Sequence, residues 1–104
     1  MFLANLHVGG VVAIGFDPTG RYVLVVSHSG RGVFDSQTWT RVARDLSLAY
    51  PEDGAVVGIG PLAGQRLKVS EINYDDGTLH IISPRGDYAM SYSEGMIEVR
   101  STGT

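Results

Sequence analysis

The chain has 104 residues, 43% of them hydrophobic, and a formal charge of −3, with one Lys and seven Arg scattered singly. It is long enough for one domain that buries roughly 60–68% of the surface of its unfolded chain, and it has no basic stripe to neutralise a phosphate backbone, so nucleic acid is not an expected partner. It contains no cysteine, which excludes a disulfide framework and a thiolate metal site alike.

Composition points to strands joined by turns. Val, Ile and Thr number 12, 6 and 6 against 7 Ala and 8 Leu, and 14 Gly with 4 Pro punctuate the chain at short intervals. The opening "MFLANLHVGGVVAIGF" is apolar, but it lacks a basic leading region and a small-residue cleavage site, and Gly9, Gly10 and Gly15 break it. Within it Val11 to Phe16 reads as a strand. No run approaches the ~20 apolar residues of a membrane helix, so the expectation is a soluble, cytoplasmic protein without a membrane partner.

Next comes "FDPTG", the composition of a type I turn: Asp17 at the first corner, Pro18 at the second and Gly20 at the fourth. Near the other end "ISPRG" repeats it with Ser83, Pro84 and Gly86. Each turn leads into a strand, "RYVLVVSH" or "DYAMSYSE", then a glycine turn at Gly30 or Gly95, then a third strand, "RGVFD" or "MIEVR". Pro18 aligns with Pro84, Gly20 with Gly86, Tyr22 with Tyr88 and Ser27 with Ser93, at a constant offset of 66.

This is an internal repeat, and it sets the architecture. The first copy, about 11–44, begins with "VVAIGF" and gains a fourth strand at Thr40 to Arg44. The second, about 66–100, is completed by "RLKVSEIN", the Asp-Gly turn of "YDDGT", and "LHIIS". Residues 45–65 connect them and hold the turn "PEDG" and the glycine-spaced "VVGIGPLAG". The fold class is therefore all-β: a single domain of two antiparallel four-stranded meanders. A helix competes over "SQTWTRVARDLSLAY", where Trp39, Val42, Ala43, Leu46 and Tyr50 fall near helical spacing, but Thr38, Trp39, Thr40 and Val42 are poor helix formers as a group.

The segment "VAIGFDPTGRYVLVVSHSGRGVFDSQTW" resembles one blade of a β-propeller of the tryptophan-aspartate-repeat type. "GVFD", Gly32 to Asp35, stands where such blades end their third strand in an aromatic residue followed by Asp, with Phe34 in place of Trp; the second copy ends in "EVR" and has neither. The resemblance implies blade-like sheets and carries no function of its own. Tyr22 to Val26 is apolar at five consecutive positions, which calls for cover on both faces of the strand. A closed propeller takes typically about 4–8 blades. Two meanders therefore either assemble as a ring or other oligomer of several copies, or pack on each other as a small sandwich or partly open barrel.

Chemistry-bearing residues are sparse. His7, His28 and His80 show no ligand spacing, and His80 occupies an alternating strand position. Asp17, Glu52, Asp53, Asp75 and Asp76 are residues that turns select. "GIGPLAG" lacks the Lys followed by Ser or Thr of a phosphate loop, so close packing or a flexible connection is its expected role. No catalytic residue, cofactor or metal ligand is assigned. The binding candidates are His28 and Arg31 in the turn "SHSGR", Glu94 in its counterpart "SEG", and the aromatic residues Trp39 and Tyr50. Since both turns join second to third strands, His28, Arg31 and Glu94 are expected to face one side, with Arg31 free to pair with Glu94.

The expected function is a non-enzymatic protein-binding or interaction module, an inhibitor, immunity-type or adaptor protein. It self-associates and is steered by its acidic surface to a partner with a basic one. The alternatives are an oligomeric propeller that binds a small ligand, and an enzyme whose site crosses a subunit interface through His28, Arg31 and Glu94.

Overall fold

A computed structural model describes residues 1–47 and 50–102. The repeated turn is the same object twice at the level of hydrogen bonds. The Asp17 N–H donates to the Tyr22 carbonyl (3.1 Å) and the Ser83 N–H to the Tyr88 carbonyl (2.9 Å); the Gly20 N–H closes on Asp17 (3.0 Å) and the Gly86 N–H on Ser83 (2.9 Å). The buried side chains at the first corner complete each turn: Asp17 Oδ1 accepts from the Tyr22 N–H at 2.8 Å, and Ser83 Oγ from the Tyr88 N–H at 3.2 Å. Gly20 and Gly86 both lie in the left-handed region, with φ of 76° and 73°.

The strands form two antiparallel sheets. In the first, β2 (Val11–Phe16), β3 (Tyr22–Ser27), β4 (Gly30–Asp35) and β5 (Thr40–Asp45) make the meander read from the first copy, so Thr40–Asp45 is strand and not helix, and residues 48 and 49 of the competing helix lie outside the described residues. Beyond β2 the sheet continues through β7 (Arg66–Glu71) to β6 (Ala55–Val57), giving the order β5-β4-β3-β2-β7-β6. The second sheet has the order β1-β10-β9-β8, from β1 (Phe2–His7), β10 (Met96–Ser101), β9 (Tyr88–Ser93) and β8 (Leu79–Ile82).

Two details of the sequence reading are corrected here. "RLKVSEIN" does not pair with "LHIIS": the turn from Asn73 to Thr78 forms, but β7 on one side of it pairs with β2 of the other sheet. The second sheet gains its fourth strand at the opposite edge, where β1, a segment that the sequence does not mark as a strand, pairs with β10. The cause is local at both ends of the exchange. Gly15 has no side chain where β7 crosses it, since a Cβ there would sit 2.7 Å from Val69 Cγ1 and 2.8 Å from the Lys68 carbonyl oxygen. Leu67 and Val69 then turn their alternating apolar face into the first sheet's own core.

Two apolar clusters result. Val11, Ile14, Val23, Val25 and Phe34 meet Leu79, Tyr88, Met90, Tyr92, Ile97 and Val99 between the sheets. On the other face of the first sheet, Val12, Ala13, Leu24, Val26 and Val33 meet Val56, Leu62, Leu67 and Val69. The six-stranded sheet curls to make this second cluster. A short 3-10 helix, Gly60–Leu62, lies against β4 and β5, with buried Leu62 plugging the curl and Gly60 close against Ala43. The expected two-sided cover of Tyr22 to Val26 is therefore met within one chain: Val23 and Val25 face one cluster, Leu24 and Val26 the other. "GIGPLAG" serves the close packing expected of it. Among the described residues no helix is long and apolar enough to cross a membrane.

Candidate functional site

The repeated turns lie at one end of the molecule, and the β3–β4 connection at the other. There the chain reverses in two residues, His28 and Ser29. Buried Ser27 braces the turn, its hydroxyl donating to the Gly30 carbonyl at 3.1 Å and sharing a 3.0 Å bond with Ser29 Oγ. The turn is also fixed from below, because the His28 N–H donates to the Gly10 carbonyl at 3.0 Å. His28 itself is exposed. Its Nδ1 lies 3.1 Å from Tyr50 Oη and its ring centroid 5.9 Å from that of Tyr50, so two residues singled out separately in the sequence stand together.

Arg31 is the second residue of β4 and is not a free surface cation. Its Nε and Nη2 form a fork on Asp45, at 3.1 and 2.5 Å, while Nη1 donates to the Val57 carbonyl at 2.7 Å. These hydrogen bonds are the main reason that the Asp45 carboxyl is held below the usual carboxylate range. One guanidinium thus joins β4, β5 and β6, and with them the two edges of the curled sheet. The carboxylate partner of Arg31 is Asp45 and not Glu94, because the register sets Arg31 opposite Asp45.

Glu94 occupies the β9–β10 turn of the other sheet at this same end, since β10 begins at Met96, opposite His7 at the end of β1. It is exposed, with a φ of 49° beside Gly95 at 81°, the two-residue turn that a tight hairpin needs. Trp39 is at the far end. It is half-buried and packs edge-on against Tyr88, ring centroids 5.0 Å apart, beside a cleft of about 350 Å³ that it lines with Arg21, Arg85 and Tyr88. Nearby, Arg21 holds Asp35 in a fork at 3.1 and 3.0 Å, and this pairing, followed by the Gln37 N–H, lowers the Asp35 carboxyl.

Two residues that the sequence reading does not single out for binding complete the His28 end. Leu46 is 70% exposed and Val57 48%, with Tyr50 at 51%. Leu46 follows Asp45 and Val57 supplies the carbonyl that Arg31 holds, so the Arg31 fork draws both backbones to one margin. Glu52 and Asp53, both exposed, follow Tyr50 closely in the chain. No local pattern marks such a margin, because its members come from three segments that meet only through the curl of the sheet. Among the described residues, no three His, Cys, Asp or Glu side chains converge closely enough to share a metal ion. No family model, no curated protein and no solved structure matches the chain.

Proposed function

We propose that the chain is a protein-binding module, of the inhibitor or adaptor kind rather than an enzyme, that docks its partner on the margin formed by Leu46, Tyr50 and Val57. The observation that carries this reading is the exposure of three large apolar side chains on backbone that is itself held firmly, by the Arg31 fork and the His28–Tyr50 contact. Rigid aromatic and aliphatic anchors of this kind lose little conformational entropy on binding and dominate interface energetics. Glu52 and Asp53, exposed and close to Tyr50 in the chain, favour a partner with basic residues around an apolar patch. Affinity capture from cells of the source organism tests it. Partners retained by the wild type and by Tyr74→Ser, an exposed site in the β7–β8 turn, should be lost from a Leu46→Ser/Tyr50→Ser double variant. An identical set on all three proteins would refute the reading.

A second reading, self-association, is supported by a different feature. The two-sided cover of β3 no longer calls for a second copy, but β1 is an open sheet edge with Phe2 48% and Leu3 39% exposed. Sedimentation of wild type and Phe2→Lys decides it: a dimer that the substitution converts to the 11.1 kDa monomer supports edge pairing, and a wild-type monomer dismisses it.

A further inference from the structure

Between the sheets, beside the β3–β4 turn, lies a cleft of about 190 Å³ whose chemistry differs from that of the interaction margin. Its floor is apolar: Val8, Val25 and Phe34 line it, together with Gly32, which the stem of Arg41 covers. Its walls carry Arg31, Arg41 and Arg44, and the one carboxylate among the described lining residues, Asp45, is already held by Arg31. The register sets Arg41 opposite Phe34 and Arg44 opposite Gly32, and side chains of directly opposed residues share a face, so both arginines stand over the inter-sheet side of β5. The β-bulge between Val33 and Phe34 makes this possible, because it lets residues three apart on β5 share a face that strict alternation would divide between them.

Arg41 and Arg44 also differ from four of the other five arginines, Arg85 at the far end being the fifth. Arg21, Arg31, Arg66 and Arg100 each contact a carboxylate. Arg41 and Arg44 are exposed, line the cleft, and form no ion pair or side-chain hydrogen bond among the described residues. The aliphatic stem of Arg41 lies over Gly32, where an added Cβ would sit 3.3 Å from Arg41 Cδ. In an acidic protein, two unpaired guanidinium forks over an apolar slot are a recognition device for an anion attached to an apolar body.

We propose that this cleft binds a small organic carboxylate with a flat apolar body, the carboxylate held by Arg41 and Arg44 and the body lying on Val8, Val25 and Phe34. The volume is below the roughly 300–1,000 Å³ of sites for drug-sized ligands, which limits the occupant to about the size of a single substituted ring. The apolar floor selects against inorganic anions, whose hydration it does not replace.

Benzoate is the probe. In a ¹H–¹⁵N titration of the full chain, it should shift the Gly32, Phe34 and Arg44 amides and the Arg41 and Arg44 side-chain Nε–H signals saturably, while benzyl alcohol and inorganic phosphate at matched ionic strength do not. Gly32→Val, whose side chain displaces the Arg41 stem on a strand that accepts β-branched residues, should abolish saturation. Arg41→Gln/Arg44→Gln should weaken binding at least about tenfold, the factor equivalent to about 1.4 kcal/mol, and it provides the test if Gly32→Val fails to fold. Equal shifts from benzyl alcohol or phosphate, no saturable shift with benzoate, or unchanged affinity in the double arginine variant would overturn the proposal.

Discussion

The phenolic Oη of Tyr88 donates a 2.7 Å hydrogen bond to the main-chain carbonyl of Gly20, so the tyrosine that follows one copy of the repeated turn grips the glycine that closes the other. Ser36 Oγ donates to the same carbonyl at 3.0 Å. Around the ring, Phe16 and Trp39 pack at centroid distances of 5.8 and 5.0 Å. The two sheets are thus joined turn to turn at this end, and the proposed docking margin is left at the opposite one.

Removing only the hydroxyl tests that joint. Tyr88→Phe should cost about 1 kcal/mol, the net worth of one hydrogen bond, because Ser36 still satisfies the Gly20 carbonyl. Tyr88→Ala should cost about 3–5 kcal/mol, since it empties an aromatic site between the sheets. Urea denaturation separates the two, and a Phe variant as unstable as the Ala variant would contradict the hydrogen bond's modest share.

The pH dependence has a limb on each side. Arg31 and Arg21 lower the Asp45 and Asp35 carboxyls, so the stabilisation they give is complete above the unfolded value of about 3.9 and is lost as pH falls through the lowered folded values. An Asp35→Asn/Asp45→Asn variant should show a flatter loss of stability below about pH 4. Burial raises the Tyr88 phenol, so the unfolded chain ionises first, and stability should decline as pH rises beyond the unfolded value of about 10. Tyr88→Phe should remove part of that alkaline decline. Melting temperatures across pH 2–11 give both limbs, and matching slopes for wild type and variants would exclude these residues as their source.

Gly15→Ala tests the crossing of β7 onto β2. The added methyl meets Val69 and the Lys68 carbonyl at under 3 Å, and overpacking of this kind costs about 1–3 kcal/mol. Amide exchange should quicken first in Arg66–Glu71. Unchanged protection there would mean that the two strands are not so closely apposed.

How much of this is legible in the sequence depends on the range of the interactions. The meander from Val11 to Arg44 is readable because each turn is specified by neighbours in the chain, and the five apolar positions from Tyr22 to Val26 announce burial on both faces. The partner of β7 is not, because the gap at Gly15 acquires meaning only when Val69 is set against it. The strand Phe2–His7 is hidden by an irregular pattern, which a bulge between Phe2 and Ala4 explains. His28 and Tyr50 each stand out as binding candidates, but their meeting spans 22 residues and belongs to tertiary structure. Arg31 reads in the sequence as part of an exposed turn. Its side chain is 13% exposed, because the pairing of β4 with β5 delivers Asp45 to it.

Arg31 and His28 should accordingly separate in a stability assay. Arg31→Ala removes a charged fork and strands Asp45, and should cost about 1.5–3 kcal/mol. His28→Ala changes an exposed turn residue and should stay within about ±0.5 kcal/mol. Guanidinium unfolding measures both, and an Arg31→Ala protein as stable as the wild type would show that the fork does not hold the sheet edges together.

The docking margin is tested most directly by photocrosslinking in cells of the source organism, with a photoreactive phenylalanine analogue placed at position 50 or, as a control, at position 74. Tyr50 and Tyr74 are both exposed, at 51% and 70%, but only Tyr50 lies on the margin with Leu46 and Val57. A discrete protein adduct from position 50 that is missing from position 74 is the result expected of a binding module. No adduct from position 50, or the same adducts from both positions, would contradict it.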